Sequence, residues 1–151
     1  MTAKELTERF GMSAHPENGA FIERHYAHEG SGRAESGSIY YYVGPEELTA
    51  FHVIDCDEYW CYAEGSALEI WIVDPADGRV EVKCLGVDGG CEPFVYIRRG
   101  LIFASRHRDK SADGTFITCI TVPRFDYEGF TMIPDSEVRE KYPLTEKFFE
   151  K

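Results

Sequence analysis

What the 151-residue chain lacks narrows its class before anything it contains. No apolar run approaches the ~20 residues that cross a bilayer, so no membrane partner is expected. The opening Met-Thr-Ala-Lys-Glu-Leu-Thr-Glu has none of the apolar core of a secretion signal, and a cytoplasmic protein is expected. Positive charge is scarce: 16 Lys and Arg stand against 27 Asp and Glu, a formal net charge of −11. Nucleic acid and anionic lipid are held by basic patches, so neither is an expected partner. The five cysteines (Cys56, Cys61, Cys84, Cys91, Cys119) show no Cys-x-x-Cys spacing and read as small core residues of a reducing compartment. The polar, glycine-rich stretch 28–37 lacks the strand-glycine-helix context of a phosphate loop. It reads as a mobile loop able to lie over a pocket mouth. His25 and His28, three apart on a strand or loop, read as solvated histidines. Alternation of strands with helices is missing too, which argues against a Rossmann-like fold.

What remains is β-rich. Hydrophobic residues make up 43% and aromatic residues 14% of the chain, enough for one core, and the length suits one domain spanning 1–151. Residues 20–26, 38–43, 48–54, 67–73, 79–85, 94–97, 101–105 and 116–122 carry strand patterning between turn signals. Thr2 and Glu5 have the spacing of a capping box, and Asp135 or Ser136 can open a helix that Pro143 stops. Many short strands with helices only at the ends make an all-β sandwich or small barrel.

The chain is organised around residues 52–65. They read as a hairpin: a strand end, an acidic turn at Asp55 to Asp57, and a second strand closed by Gly65. By alternation, His52 and Glu58 project into one cavity walled by Trp60 and Tyr62. Such a pair can hold a metal, move a proton or orient a polar ligand. Phe21 and Glu23 share a face of the first long strand. Tyr40 and Tyr42 share a face of the next, where they can add a phenolic donor.

The spacing of His52, Glu58 and Gly65 resembles the first cupin motif. The chain is more closely similar to the DUF985 (cupin-5) family. The residues that carry this are His15-Pro16-Glu17-Asn18-Gly19-Ala20-Phe21, Ile39-Tyr40-Tyr41, Asp57-Glu58-Tyr59-Trp60 and Pro123-Arg124-Phe125-Asp126-Tyr127. The resemblance implies a double-stranded β-helix, the cupin jelly roll, with short terminal helices. It also implies a homodimer, for which the Leu68/Ile70/Ile72 face and the N-terminal strand region are candidate surfaces.

Two departures bear on chemistry. Ile54 stands where metal-binding cupins have a second histidine, and Phe103 where they have another. No cofactor is therefore expected, and a divalent metal, if held, would have only His52 and Glu58. The expected function is binding of a small, partly apolar molecule, carbohydrates included. Trp60, Tyr62 and Phe103 would give it flat contact surface, and Arg99 would attract an acidic substituent. The alternative is a sugar or sugar-nucleotide isomerase or epimerase working through His52 with Tyr40 or Glu58.

Overall fold

The computed structural model describes residues 1–27, 30, 32–110 and 112–150. His28, and with it part of the expected loop at 28–37, lies outside the described residues.

A helix, α1 (Ala3–Phe10), opens the chain under the expected capping box. The Glu5 amide donates to Thr2 Oγ1 at 3.1 Å and the Thr2 amide donates to Glu5 Oε2 at 2.7 Å. Among the described residues eleven strands follow: β1 (Ser13–Ala14), β2 (Ala20–Ala27), β3 (Ser36–Val43), β4 (His52–Ile54), β5 (Asp57–Gly65), β6 (Leu68–Val73), β7 (Val80–Leu85), β8 (Phe94–Ile97), β9 (Ile102–His107), β10 (Thr115–Val122) and β11 (Phe130–Met132). Helix α2 (Asp135–Lys141) and a 3-10 segment, Pro143–Phe149, end the chain. No helix among the described residues is long and apolar enough to cross a membrane.

The strands form two antiparallel sheets, in the orders β1-β2-β3-β10-β5-β8 and β11-β4-β9-β6-β7. This is the expected all-β double-stranded β-helix with terminal helices. One expectation changes in detail: β4 and β5 do not pair as a hairpin. The acidic turn is a corner that carries the chain from the five-stranded sheet into the six-stranded one, so His52 and Glu58 come from opposite walls.

The core between the sheets takes in Tyr41, Ile54, Trp60, Leu68, Ile70, Ile72 and Phe103. Leu68 and Ile70 are 0% exposed and Ile72 4%, which removes this face as the expected dimer surface. The other face of the same strand is also covered, because Trp71 and Val73 pack with Phe51, Val138 and Phe148. Any pairing of two chains must use another surface. The reading of all cysteines as small core residues also needs correction. Cys84 and Cys91 form a disulfide across the loop between β7 and β8, where the Glu92 amide bonds back to the Cys84 carbonyl at 3.0 Å.

Gly65 closes β5 at φ +106°, and a Cβ there would run into the Gly114 carbonyl oxygen at the start of β10. Gly65→Ala is expected to cost about 2 kcal/mol or more, measured by urea unfolding. A loss below about 0.5 kcal/mol would show that the backbone relaxes freely there.

Candidate functional site

Between the sheets lies a cavity of about 840 Å³. Its floor is buried: Tyr41 from β3, His52 and Ile54 from β4, Glu58 and Trp60 from β5, and Cys119 and Thr121 from β10. Its rim carries Glu23, Tyr26, Arg33, Arg124, Asp126 and Tyr127. Phe21, His15, Phe125 and Phe130 line the apolar walls between them.

Glu17 reaches the floor from a turn, not from a strand. His15-Pro16-Glu17-Asn18-Gly19 folds tightly because Asn18 and Gly19 take φ of 80° and 78°, values these two residue types tolerate best. The His15 amide bonds the Gly19 carbonyl at 2.9 Å and the Asn18 amide bonds the His15 carbonyl at 3.0 Å. Ala50 then ties the turn to β4. Its amide donates to the Glu17 carbonyl at 2.8 Å, and its carbonyl accepts from His52 Nδ1 at 2.8 Å. One residue thus positions both members of a pair in which His52 Nε2 meets Glu17 Oε2 at 2.8 Å.

These contacts set the charges. Ala50's carbonyl can only accept, so His52 Nδ1 carries a proton, and Nε2 faces a carboxylate. Burial alone pushes the His52 imidazole down. The Glu17 charge and hydrogen bond, with the Ala50 carbonyl, outweigh it and hold the pKa above its usual value. Burial likewise pushes Glu17 up, and His52 outweighs it, leaving that carboxyl below its usual range. The two form a buried imidazolium–carboxylate pair.

His15 is the opposite case. Its Nδ1 accepts from the Glu17 amide at 3.1 Å, and burial pushes its pKa down despite the nearby Glu17; it is neutral. Glu58 accepts from the Trp60 indole N–H through Oε2 at 2.7 Å. Its Oε1 takes no hydrogen bond from any described residue. Burial, then the Glu17 charge, raise its pKa to about 7 against the smaller pull of Trp60 and His52. The floor therefore presents one ion pair and one carboxyl that titrates near neutrality.

The sequence model of the cupin superfamily's DUF985 family matches residues 4–133. The chain belongs to that family. Solved cupin-fold structures superpose on nearly all of this cupin. Protein SO0799 from Shewanella oneidensis covers 100% of this chain and 96% of its own at 22% identity, with a TM-score of 0.90. A hypothetical protein from Leishmania major covers 97% and 95% at 26% identity, with a TM-score of 0.83. A cupin 2 domain-containing protein from Halorhodospira halophila covers 92% and 88% at 11% identity, with a TM-score of 0.63. No curated protein matches the chain.

Of the residues named from the sequence, the cavity gathers His52, Glu58, Trp60, Phe21 and Glu23. It does not gather the rest. Tyr40 points to the outer face of β3, where its ring lies 4.9 Å from Phe10 and 5.3 Å from Phe116. Tyr42 shares that outer face and lies against Gly114. Tyr41, between them, faces inward and donates its hydroxyl to the Asn18 carbonyl. Tyr62 packs against the core between the sheets and donates to the Gly65 carbonyl at 2.7 Å. Arg99 sits outside the barrel, bound to Asp57 at 3.1 Å. Phe103 does not line the cavity; it backs the His52 ring at 4.2 Å.

Sequence reasoning missed Glu17, Tyr41, His15 and the two rim arginines as cavity residues. The signal for Glu17 was present, because the His15-Pro16-Glu17 opening is part of what carries the family resemblance.

The residues present do not fit a transition metal. A metal needs a free imidazole lone pair, and both His52 nitrogens are hydrogen-bonded. Among the described residues no group of three His, Cys, Asp or Glu side chains is arranged to hold an ion.

Proposed function

We propose that this cupin binds a small, partly apolar molecule in the cavity between its sheets, with Glu58 and the His52–Glu17 pair orienting the ligand's polar group. The observation that carries this reading is Glu58 Oε1. The residue is 9% exposed, lines the cavity, and leaves that oxygen unbonded by any described residue. Among the described residues the sealed atoms without a partner are Glu64 Oε2 and His107 Nδ1, so Glu58 Oε1 is not sealed among protein atoms, and its place in the cavity lining supports a ligand or water partner. The aromatic walls supply flat apolar contact, the arrangement common to small-molecule sites.

A thermal-shift screen with sugars, sugar nucleotides and small organic molecules tests this. A cavity ligand should raise the midpoint of the wild type by mass action and lose that effect in His52→Ala and Glu58→Ala. A ligand that stabilises all three proteins equally binds elsewhere and sinks the reading.

A second reading, an isomerase or epimerase, is favoured by the Glu58 pKa of about 7, which suits a general acid–base group at neutral pH. In this reading Glu58 takes a substrate proton and returns it, with no part for Tyr40. It requires that turnover of any hit vanish in Glu58→Gln while the fold survives.

A further inference from the structure

The cavity's charges are unequally committed, and this bears on the kind of ligand it takes. Arg33 turns Nη1 and Nη2 onto Asp55, both at 2.9 Å, and its Nε onto the Arg124 carbonyl at 2.7 Å. Arg124 turns Nε and Nη2 onto Glu23 at 3.1 and 2.7 Å, and its guanidinium lies 3.8 Å over the Tyr26 ring. His52 has both nitrogens in hydrogen bonds, and His15 is held neutral by burial. Every cation among the described residues of the cavity wall is thus already matched. Arg99, expected from the sequence to attract an acidic substituent, is outside on Asp57.

The acids are different. Glu17 and Glu23 are paired, and Asp126 Oδ1 accepts from the Glu128 amide at 3.0 Å. Among the described carboxyls of the buried floor, Glu58 alone has no ion-pair partner; only the neutral Trp60 N–H donates to it. The lining around it includes the rings of Trp60, Tyr41, Phe21, Phe125 and Phe130, and aromatic rings attract cations at their faces. Among the described residues an anion entering this cavity meets no uncommitted positive charge, whereas a cation meets both a carboxyl and aromatic rings.

We propose that the ligand is a small organic cation, an amine whose ammonium group seats on Glu58 between the aromatic walls. This rests on the reading of the cavity as a ligand site and narrows it to a charge class.

Matched probes that differ only in the polar group test the proposal: benzylamine, benzyl alcohol and benzoate, and glucosamine, glucose and glucuronate. Binding is measured by calorimetry at pH 8, where Glu58 is ionised. At least one amine should bind the wild type about tenfold or more tightly than its alcohol, with the carboxylate weakest. In Glu58→Gln, which keeps an acceptor for the Trp60 N–H, that preference should fall below about threefold. In Glu58→Asp, which keeps the charge, part of it should return. An alcohol or carboxylate that binds as well as its amine overturns the proposal and leaves the ligand-site reading standing. If no probe binds, the ligand-site reading falls, and this proposal with it.

Discussion

Glu17→Ala is expected to destabilise the protein by about 3–5 kcal/mol, the range for removing one partner of a buried ion pair. Both side chains are nearly inaccessible, at 4% for His52 and 7% for Glu17, so each is charged mainly by virtue of the other. The imidazolium left behind must give up its Nε2 proton or remain as an uncompensated charge, with the Phe103 ring 4.2 Å and the Phe130 ring 5.4 Å away. Glu17→Gln should cost less, about 1–2 kcal/mol. Its amide can still hydrogen-bond a neutral imidazole whose Nδ1–H stays on the Ala50 carbonyl. A double-mutant cycle of Glu17→Gln with His52→Gln, followed by urea unfolding, should give a coupling of about 2 kcal/mol. A coupling below about 0.5 kcal/mol would mean that the pair is not an energetic unit.

Much of the barrel was legible because strands write their burial in period two. That rule put Glu58 and Trp60 on one face of a strand and Phe21 with Glu23 on one face of another; His52 joined them through the expected hairpin, which a corner between the sheets replaces. It failed at Tyr40-Tyr41-Tyr42 for a definite reason. Three identical residues carry no phase, and the phase is set by their neighbours: Val43 is 0% exposed and Tyr41 1%, so the odd positions turn inward. The pattern also misled at Leu68, Ile70 and Ile72. β6 is buried on both faces, because the C-terminal segment brings Val138 and Phe148 onto its outer side, and nothing local to the strand announces that cover.

Glu17 was illegible from its local pattern for a third reason, and only the family opening pointed to it. A glutamate after proline in a turn reads as solvated, and its burial depends on residues 33 to 35 positions later, through Ala50 and His52. Long-range contacts of this kind decide which polar residue enters the core. The five cysteines show the same limit on a shorter scale, since only the path of the loop between β7 and β8 joins Cys84 to Cys91.

Glu58→Gln should make the protein more stable at pH 8 and change it far less at pH 5. Burial and the Glu17 charge raise this carboxyl from 4.5 to about 7, so the folded state holds a proton that the unfolded chain releases. Between those two values the native state binds more protons than the unfolded one, and stability falls as pH rises. Below about 4.5 the group is protonated in both states and contributes no pH dependence. Above about 7 it is ionised in both, and the full cost of about 3 kcal/mol, at about 1.4 per pH unit, is present. Glutamine carries no charge at any pH and can keep its carbonyl on the Trp60 N–H, so it escapes that cost. His52 and Glu17 remain in both proteins, and their own pH dependence largely cancels in the difference. The gap between variant and wild type should therefore open from about pH 4.5 and level off near pH 7. At pH 8 a gain of this size is roughly 6–12 °C in the unfolding midpoint. Urea unfolding at pH 5, 6, 7 and 8 reads the curve directly, and parallel stabilities across that range would show that Glu58 titrates as an ordinary solvated carboxyl. If the gap opens as expected, Glu58 titrates near neutral pH, and the molecule keeps at the base of an aromatic cavity a carboxyl that folding alone does not need.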